Sequence, residues 1–493
     1  MFLGLVACGP GSIAIGPLAD TGQAPVGCGL ELDDADIHGV EDERLSFDAR
    51  CASGAELSLS GPGSWEDDEW TWRPDLDEAG EYEVLLSWGL ESAVVRVFVA
   101  DAWDESDNEP VDPFEYQEEF GLPVVHIFPG GSVGEDYVSA SVVFEGREYT
   151  GARVKKRGAA SLYYPKVGYT LDFDSEDQLE LSDRGMGDKA HLVLISTFDD
   201  NSYVRQNLAY GLWEDIAEHF GQARLVVRTF HTIVYMGGSY IGLYVASDHV
   251  DDEFLQQMGL DRDSPLFKAV DHNANFYGTD YYGNPKPSWH SGYELKEGDS
   301  WETLDALVQW SAVASDEELV AQADDWLSST EFADWFIFVH FTESGDSGGK
   351  NSYLAWDLTT QRMRYAPWDF NHSWGQDWRT LRVSSSTYND FTWTNRVFKA
   401  QQAVDGAALW ARWWSLVDDG PLREDRLMAE LDGMYSDIDP SARRDWDRWG
   451  DAYRSYSGWA SSRDGWTDYE GERRYLEDWI SDRCEWARED HDR

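Results

Sequence analysis

Residues 346–375 read DSGGKNSYLAWDLTTQRMRYAPWDFNHSWG, and this stretch admits few local folds. The apolar run WFIFVHF at 335–341 leads into it with the make-up of a buried helix. Residues 352–356 and 363–366 read as two strands, and 357–361 as the turn between them, so a hairpin is predicted. Acidic and amide side chains stand outside the hairpin on both flanks. Asp346 and Asn351 precede it, and Asp369, Phe370 and Asn371 follow it.

That order of residues is the layout of a kinase catalytic loop. One Asp orients or deprotonates an acceptor hydroxyl, an Asn five residues on holds a metal ion, and a second Asp after the hairpin bridges metal and phosphates. Phosphoryl transfer needs an in-line oxygen and neutralised phosphate charge more than covalent help from the protein. Magnesium takes hard oxygen ligands and keeps several waters, so one carboxylate and one amide oxygen suffice. On these grounds Asp346 is the expected catalytic base, with Asn351 and Asp369 the expected magnesium ligands. An Asp-x-x-x-x-Asn spacing alone carries little weight where 94 residues are acidic; the hairpin and the Trp-Asp-Phe-Asn after it add the weight.

Length and charge narrow the class. A chain of 493 residues is expected to hold about two to four domains. With 94 acidic against 39 basic residues the net charge is −55, which argues against nucleic acid or an anionic membrane as partner. It suits a solvated extracellular surface, a partner rich in Lys and Arg, and divalent cations. The 25 tryptophans imply many packed layers or exposed stacking faces. No run is long enough to span a membrane. Residues 2–8, FLGLVAC, resemble a bacterial lipobox in which Cys8 would carry the lipid, although the basic region before it is missing. The expected location is therefore extracytoplasmic, with membrane attachment only through Cys8. In an oxidising compartment Cys28 and Cys51 are a candidate pair at a spacing that suits the first strands of a small β domain, which leaves Cys484 over.

Taken in order, residues 1–26 read as signal and tether, and 27–101 as short alternating strands with turn signals, among them 45–47, 56–59, 81–88 and 93–99. The segment TWRPDLDEAGEYEVLLSW resembles the later strands of immunoglobulin-like bacterial surface domains, which implies a small β-sandwich acting as spacer. Residues 102–119 form an acidic linker. From 120 to 490 the composition shifts. Strands are expected at 124–128, 137–144 and 148–157, and a helix at 202–220 capped by Ser202. Lys155, Lys156, Arg157 and Lys166 gather around a loop between strands, where a triphosphate would be held by an exposed basic loop. The plain alternative is a set of salt-bridge partners for an acidic surface.

Several motifs in this region together resemble the CotH kinases, the family of the bacterial spore coat protein H. They are Arg157-Gly158-Ala159-Ala160-Ser161, Pro165-Lys166-Val167-Gly168-Tyr169-Thr170-Leu171, Asp200-Asn201-Ser202 followed by Arg205-Gln206-Asn207, Gly238-Ser239-Tyr240-Ile241-Gly242-Leu243-Tyr244, Phe267-Lys268-Ala269 and Trp368-Asp369-Phe370-Asn371. Two positions depart from the pattern. Asp248 stands where the family usually has Glu, and Asn371 stands where it has a second Asp, which puts a metal role for Asn371 in doubt.

The resemblance implies an α+β fold, an atypical protein-kinase-like two-lobed domain with a β-rich first lobe and a helical second lobe, preceded by the β-sandwich. It implies ATP and Mg2+ as cofactors, Lys166 and Arg157 as phosphate contacts with Lys268 as runner-up, and transfer of the γ-phosphoryl of ATP to a Ser or Thr hydroxyl of a protein substrate, a basic one on charge grounds. The competing expectation is a surface adhesin or carbohydrate-binding protein on a catalytically inactive form of the same fold; a third is a nucleotide-dependent transferase that passes on another part of ATP. Oligomeric state is not legible.

Overall fold

The computed structural model describes residues 30–489 apart from 33–35, 41–43, 53–56, 67, 75–79, 89–90, 101–110 and 457–467. The Cys8 segment, the tether, Cys28, most of the acidic linker, Trp459 and Trp466 lie outside the described residues. Two compact units divide the chain. One holds the described residues up to 100 together with 119–121 and 438–448; the other holds 111–118, 122–437 and the described remainder from 449 on.

The smaller unit is built on two four-stranded sheets. One runs in the order Leu30–Leu32, Leu45–Cys51, Glu69–Trp72, Ser64–Glu66, and the other Asp36–Val40, Glu91–Ala100, Gly80–Trp88, Ser58–Ser60. Strict alternation makes the core. Leu45, Phe47, Ala49 and Cys51 point inward from one strand while the residues between them face water. They meet Val84, Leu86, Val95, Val97 and Val99 of the other sheet in one apolar cluster around the fully buried Trp70. The Trp70 indole N–H donates to the Pro62 carbonyl at 2.8 Å, which satisfies its one polar atom. Cys51 is disulfide-bonded, and Cys484 is a free, buried thiol.

The larger unit is mixed α and β. Its main sheet runs Arg147–Tyr149, Val138–Phe144, Arg153–Arg157, Gly168–Asp172, His191–Ile195, Ser239–Asp248, Thr229–Met236, Leu122–Pro129. Leu122–Pro129 also pairs antiparallel with Val138–Phe144, so seven of these strands close into a barrel. Val125, Ile127, Val142, Val154, Leu171, Leu192, Leu194, Val234 and Ala246 fill it. The strand expected over 148–157 is two strands, Arg147–Tyr149 and Arg153–Arg157.

Eight α-helices occur among the described residues: α1 (Arg205–His219), α2 (Asp252–Gln257), α3 (Glu302–Val313), α4 (Asp316–Ala321), α5 (Ser329–Phe341), α6 (Arg396–Asp418), α7 (Glu424–Ser455) and α8 (Tyr469–Arg488). Residues 335–341 are the second half of α5, and every one of them is buried, as an all-round apolar run requires. The cap of α1 differs from expectation. Ser202 lies short of the helix, and the Asp200 carboxylate instead accepts from the backbone N–H of Arg205 at 3.1 Å and of Ser202 at 3.1 Å. Asp200 thus takes one orphan donor of the first turn, the Arg205 N–H, and fixes the approach to the helix through the Ser202 N–H.

The second half of the larger unit is not purely helical. A second sheet, in the order Tyr293–Glu297, Leu266–Ala269, Ser352–Asp357, Arg362–Pro367, stands among the helices. The hairpin read from the sequence forms its last two strands, with Ser352 opposite Pro367 and Asp357 opposite Arg362. The strand Leu266–Ala269 adds to it antiparallel and sets Lys268 opposite Tyr353.

Candidate functional site

The ends of the Ser352–Asp357/Arg362–Pro367 hairpin carry two residues in the left-handed region, Asn351 at φ 59° and Asp369 at φ 65°. Side chains other than Gly adopt this conformation at a cost and persist in it where neighbours hold them. Here the neighbours are explicit. The Asn351 N–H donates to Ala269 O at 3.1 Å, and the Trp368 N–H donates to Asn351 O at 3.2 Å. The Asn351 Nδ2 donates to Asp369 O at 3.4 Å, and the Asp369 N–H donates to the Tyr210 hydroxyl of α1 at 3.1 Å. The backbone of both residues is therefore tied down. Among the described residues, the exposed Asp369 carboxylate has neither a hydrogen bond nor an ion pair.

Two cations face this carboxylate. Arg157 ends the strand Arg153–Arg157, and its guanidinium lies over the Trp368 ring at 5.2 Å. The Lys268 ammonium lies over the same ring at 5.3 Å and over Tyr353 at 5.5 Å. Neither is ion-paired among the described residues, in a chain with 94 carboxylates to choose from. Burial, and after it the charge of Arg157, pushes the Lys268 ammonium down to about 8, while Asp369 pulls the other way. Burial also lowers Arg157, against Tyr353 and Asp369. Two half-buried cations around one tryptophan, with Arg157 depressing Lys268, have the chemistry of a cradle for an anion.

Asp346 lies in the turn after α5. Its carboxylate is 2.8 Å from Lys350 Nζ and 3.5 Å from His272 Nε2. Burial alone would raise it, but His272 and Lys350 outweigh burial and hold it at about 2. His372 links the two aspartates electrostatically. Burial works against its charged form, yet Asp199 at 3.2 Å, with Asp369 and Asp346 beyond, raises it. Asp199 also accepts from Asn371 Nδ2 at 2.7 Å and from the Tyr164 hydroxyl at 3.1 Å. Asn371 thus braces Asp199, and its Oδ1 is buried without a hydrogen-bond partner among the described residues.

Lys166 is placed differently from expectation. It is 1 % exposed, donates to Leu243 O at 2.6 Å, and lies over the rings of Tyr244 at 4.8 Å and Tyr203 at 5.7 Å. An ammonium held by a carbonyl and two ring faces is no part of an exposed basic loop. The turn between the two strands faces water at Tyr163, 81 % exposed, while Lys166 points inward. Gly158 in that turn is at φ 129°, and a side chain there would meet the Ser161 hydroxyl at 2.1 Å, which accounts for the Arg-Gly-x-x-Ser spacing.

Sequence reasoning did not assign functions to Tyr210, Tyr353, Trp368, Asp199, His372, His272 or Lys350. Trp368 opens the quoted Trp-Asp-Phe-Asn motif, His372 follows it, and Lys350 stands four residues after Asp346, so all three were within reach of it. His272 reaches Asp346 only through loop packing.

The chain belongs to the CotH kinase protein family, whose model matches residues 154–487. It is 25% identical over 196 residues to the inner spore coat protein H of Bacillus subtilis (strain 168). That match covers 39% of this chain and 52% of the relative, so the chain spans about half the length of the curated protein it resembles. Among solved structures, a chimeric titin Z1Z2 functionalized with a decorin peptide aligns over 30% of this chain and 90% of its own, at 13% identity and a TM-score of 0.13. A chimeric titin Z1Z2 tandem functionalized with a fibronectin peptide aligns over 32% and 93%, at 12% identity and 0.14. Scores this low carry no argument about the fold.

Proposed function

We propose that the protein is an ATP-dependent phosphotransferase with a kinase-like two-lobed catalytic unit, and that it passes the γ-phosphoryl group to a Ser or Thr hydroxyl of a protein. The observation that supports this most is that, among the described residues, Arg157 and Lys268 around Trp368 have no ion pair and the Asp369 carboxylate next to them has no partner. Ion pairs are easily made in so acidic a chain, so two half-buried cations without one fit a site kept for phosphate oxygens.

The residues fit magnesium. Asp369 offers a free, exposed carboxylate, and the Nδ2 of Asn351 is spent on the backbone, which leaves its Oδ1 as an oxygen donor beside it. A magnesium ion there would neutralise charge on the β- and γ-phosphates. Arg157 and Lys268 bind and orient the phosphates from the other side. Asp346 orients the acceptor hydroxyl. Held at about 2, it is a weak base, and its part is to place the hydroxyl in line more than to remove the proton early. Lys350 and His272 keep it ionised and fixed. An adhesin built on the same fold has no use for this combination of strained, unpaired and charged groups.

The test is calorimetric titration of ATP with and without Mg2+. Wild type is expected to bind ATP with magnesium, and Asp369→Ala to lose the magnesium-dependent part while remaining folded. ATP binding that is the same in Asp369→Ala and wild type would sink this assignment.

A further inference from the structure

One group of side chains that does not include Asp346, Asn351 or Asp369 has the make-up of a transition-metal site: His191, His249 and Asp251. Sheet register brings them together. Leu192 pairs with Asp248, so the first residue of His191–Ile195 stands beside the turn that leaves Ser239–Asp248 and enters α2. Asp251 is the N-cap of α2. Its Oδ1 accepts from the Phe254 N–H at 3.0 Å, which leaves Oδ2 to face both rings. Oδ2 is 3.1 Å from His191 Nδ1 and 2.9 Å from His249 Nδ1. One ligand atom from each residue lies within 4.8 Å of the other two.

Two imidazoles that each give an Nδ1–H to one carboxylate are the plain alternative. Two features point further. The spacing is close to the edge of a tetrahedral zinc polyhedron, where bonds of about 2.0–2.2 Å put ligand atoms roughly 3.3–3.5 Å apart. The second feature is the environment of the other ring nitrogen. His191 Nε2 is 3.6 Å from Asp172 Oδ1, and Arg153 pairs with the other oxygen of Asp172. Metal-bound histidines characteristically give their second N–H to such an outer carboxylate, which fixes the tautomer and the ring. Both rings are about one-third exposed, with His191 at 33% and His249 at 34%, which leaves room for a water ligand.

We propose that His191 Nδ1, His249 Nδ1 and Asp251 Oδ2 bind one divalent ion of the zinc class, that a water molecule completes the tetrahedron, and that Asp172 positions His191. Two imidazoles select zinc, cobalt, nickel or copper over magnesium or calcium, so this site is chemically separate from Asn351 and Asp369. It does not depend on the phosphotransferase reading. The bound ion would pin the start of one barrel strand to the turn that opens α2 from its neighbour.

The experiment is zinc titration of the full, untagged, chelator-treated chain in excess Mg2+, followed by Co2+ substitution. Wild type is expected to take up one zinc per chain, to melt higher with zinc, and to give the intense visible bands of four-coordinate cobalt. His249→Ala, at a ring that is one-third exposed, should lose the stoichiometric uptake and those bands. Asp172→Asn should keep one site but bind zinc about 10–100-fold more weakly, and it decides the matter if His249→Ala does not fold. Absence of stoichiometric zinc in wild type, uptake undiminished in folded His249→Ala, or unchanged affinity in Asp172→Asn overturns the proposal.

Discussion

Two clusters in the larger unit are made of the same residue types and differ in one respect. In the first, Arg205 of α1 is fully buried, with Nη1 at 2.7 Å from Asp200 and Nη2 on Glu472 of α8. Asp200 in turn caps α1 through the Arg205 N–H. In the second, Arg157 and Lys268 are half-buried without a carboxylate partner, and Asp369 is exposed without an ion pair, among the described residues. The first cluster has closed its charges on itself, and it serves the fold: breaking one partner would strand buried charge. The second holds charges apart around Trp368 and Tyr353, and the chain tolerates the cost of desolvating them. The difference teaches that charge alone does not mark a site; charge left unpaired where pairing was available does.

That contrast can be broken, and the largest effect is expected at Asp346. Asp346→Ala should lower phosphotransfer by roughly 10²–10⁴-fold, with magnesium-dependent ATP affinity near that of wild type, as read by calorimetry beside a transfer assay. Abolished binding in a folded variant would move Asp346 from the acceptor side to the nucleotide side. Next is Arg205→Met, which leaves Asp200 buried without its cation and takes from Glu472 the nearer of two, Arg382 remaining at 3.6 Å. It should cost about 3–5 kcal/mol in chemical denaturation. A loss below about 1 kcal/mol would mean that the closed cluster is no more structural than a surface ion pair.

Lys268 sharpens the comparison through pH. With its ammonium at about 8, it loses charge as pH rises through that value, so ATP affinity should fall between pH 7 and 9 in wild type. Bound phosphate favours the charged form, which shifts the fall upward in the complex. Lys268→Ala should remove this pH dependence, weaken binding by an amount on the order of 1.5–3 kcal/mol, and leave stability nearly unchanged. A pH profile identical in the variant would exclude Lys268 from the cradle. The smallest effect belongs to Lys166. Lys166→Met removes the hydrogen bond to the Leu243 carbonyl and should cost about 1–3 kcal/mol of stability, with no change in ATP affinity. Weakened ATP binding at unchanged stability would return Lys166 to the phosphate site.

Much of the local structure was legible. The run at 335–341 is apolar all round and lies in a buried helix. The pieces at 352–356 and 363–366 flank turn residues, and they form the hairpin Ser352–Asp357/Arg362–Pro367. The alternation at 45–47, 81–88 and 93–99 recurs as strands with one buried face. What failed did so for identifiable reasons. Ser202 has the right type for a helix cap, but Asp200 offers two oxygens and took the role. Lys166 belongs to a basic cluster in sequence, yet the bend before the strand Gly168–Asp172 turns it inward toward Leu243 while Arg157, at the end of its strand, faces Trp368. A list of basic residues does not say which way each strand presents them.

By itself the sequence determined the elements and the chemical inventory: an acidic chain, a small alternating-strand region, a helix–hairpin stretch flanked by Asp346, Asn351 and Asp369, and the family motifs. Those depend on residues near one another in the chain, where propensity and periodicity act. Tertiary structure alone decided the closure of the barrel, the strand Leu266–Ala269 against the hairpin, and so the meeting of Lys268, Arg157 and Asp369. Pairing and burial between distant segments set which charges are compensated, and no local pattern records a missing partner.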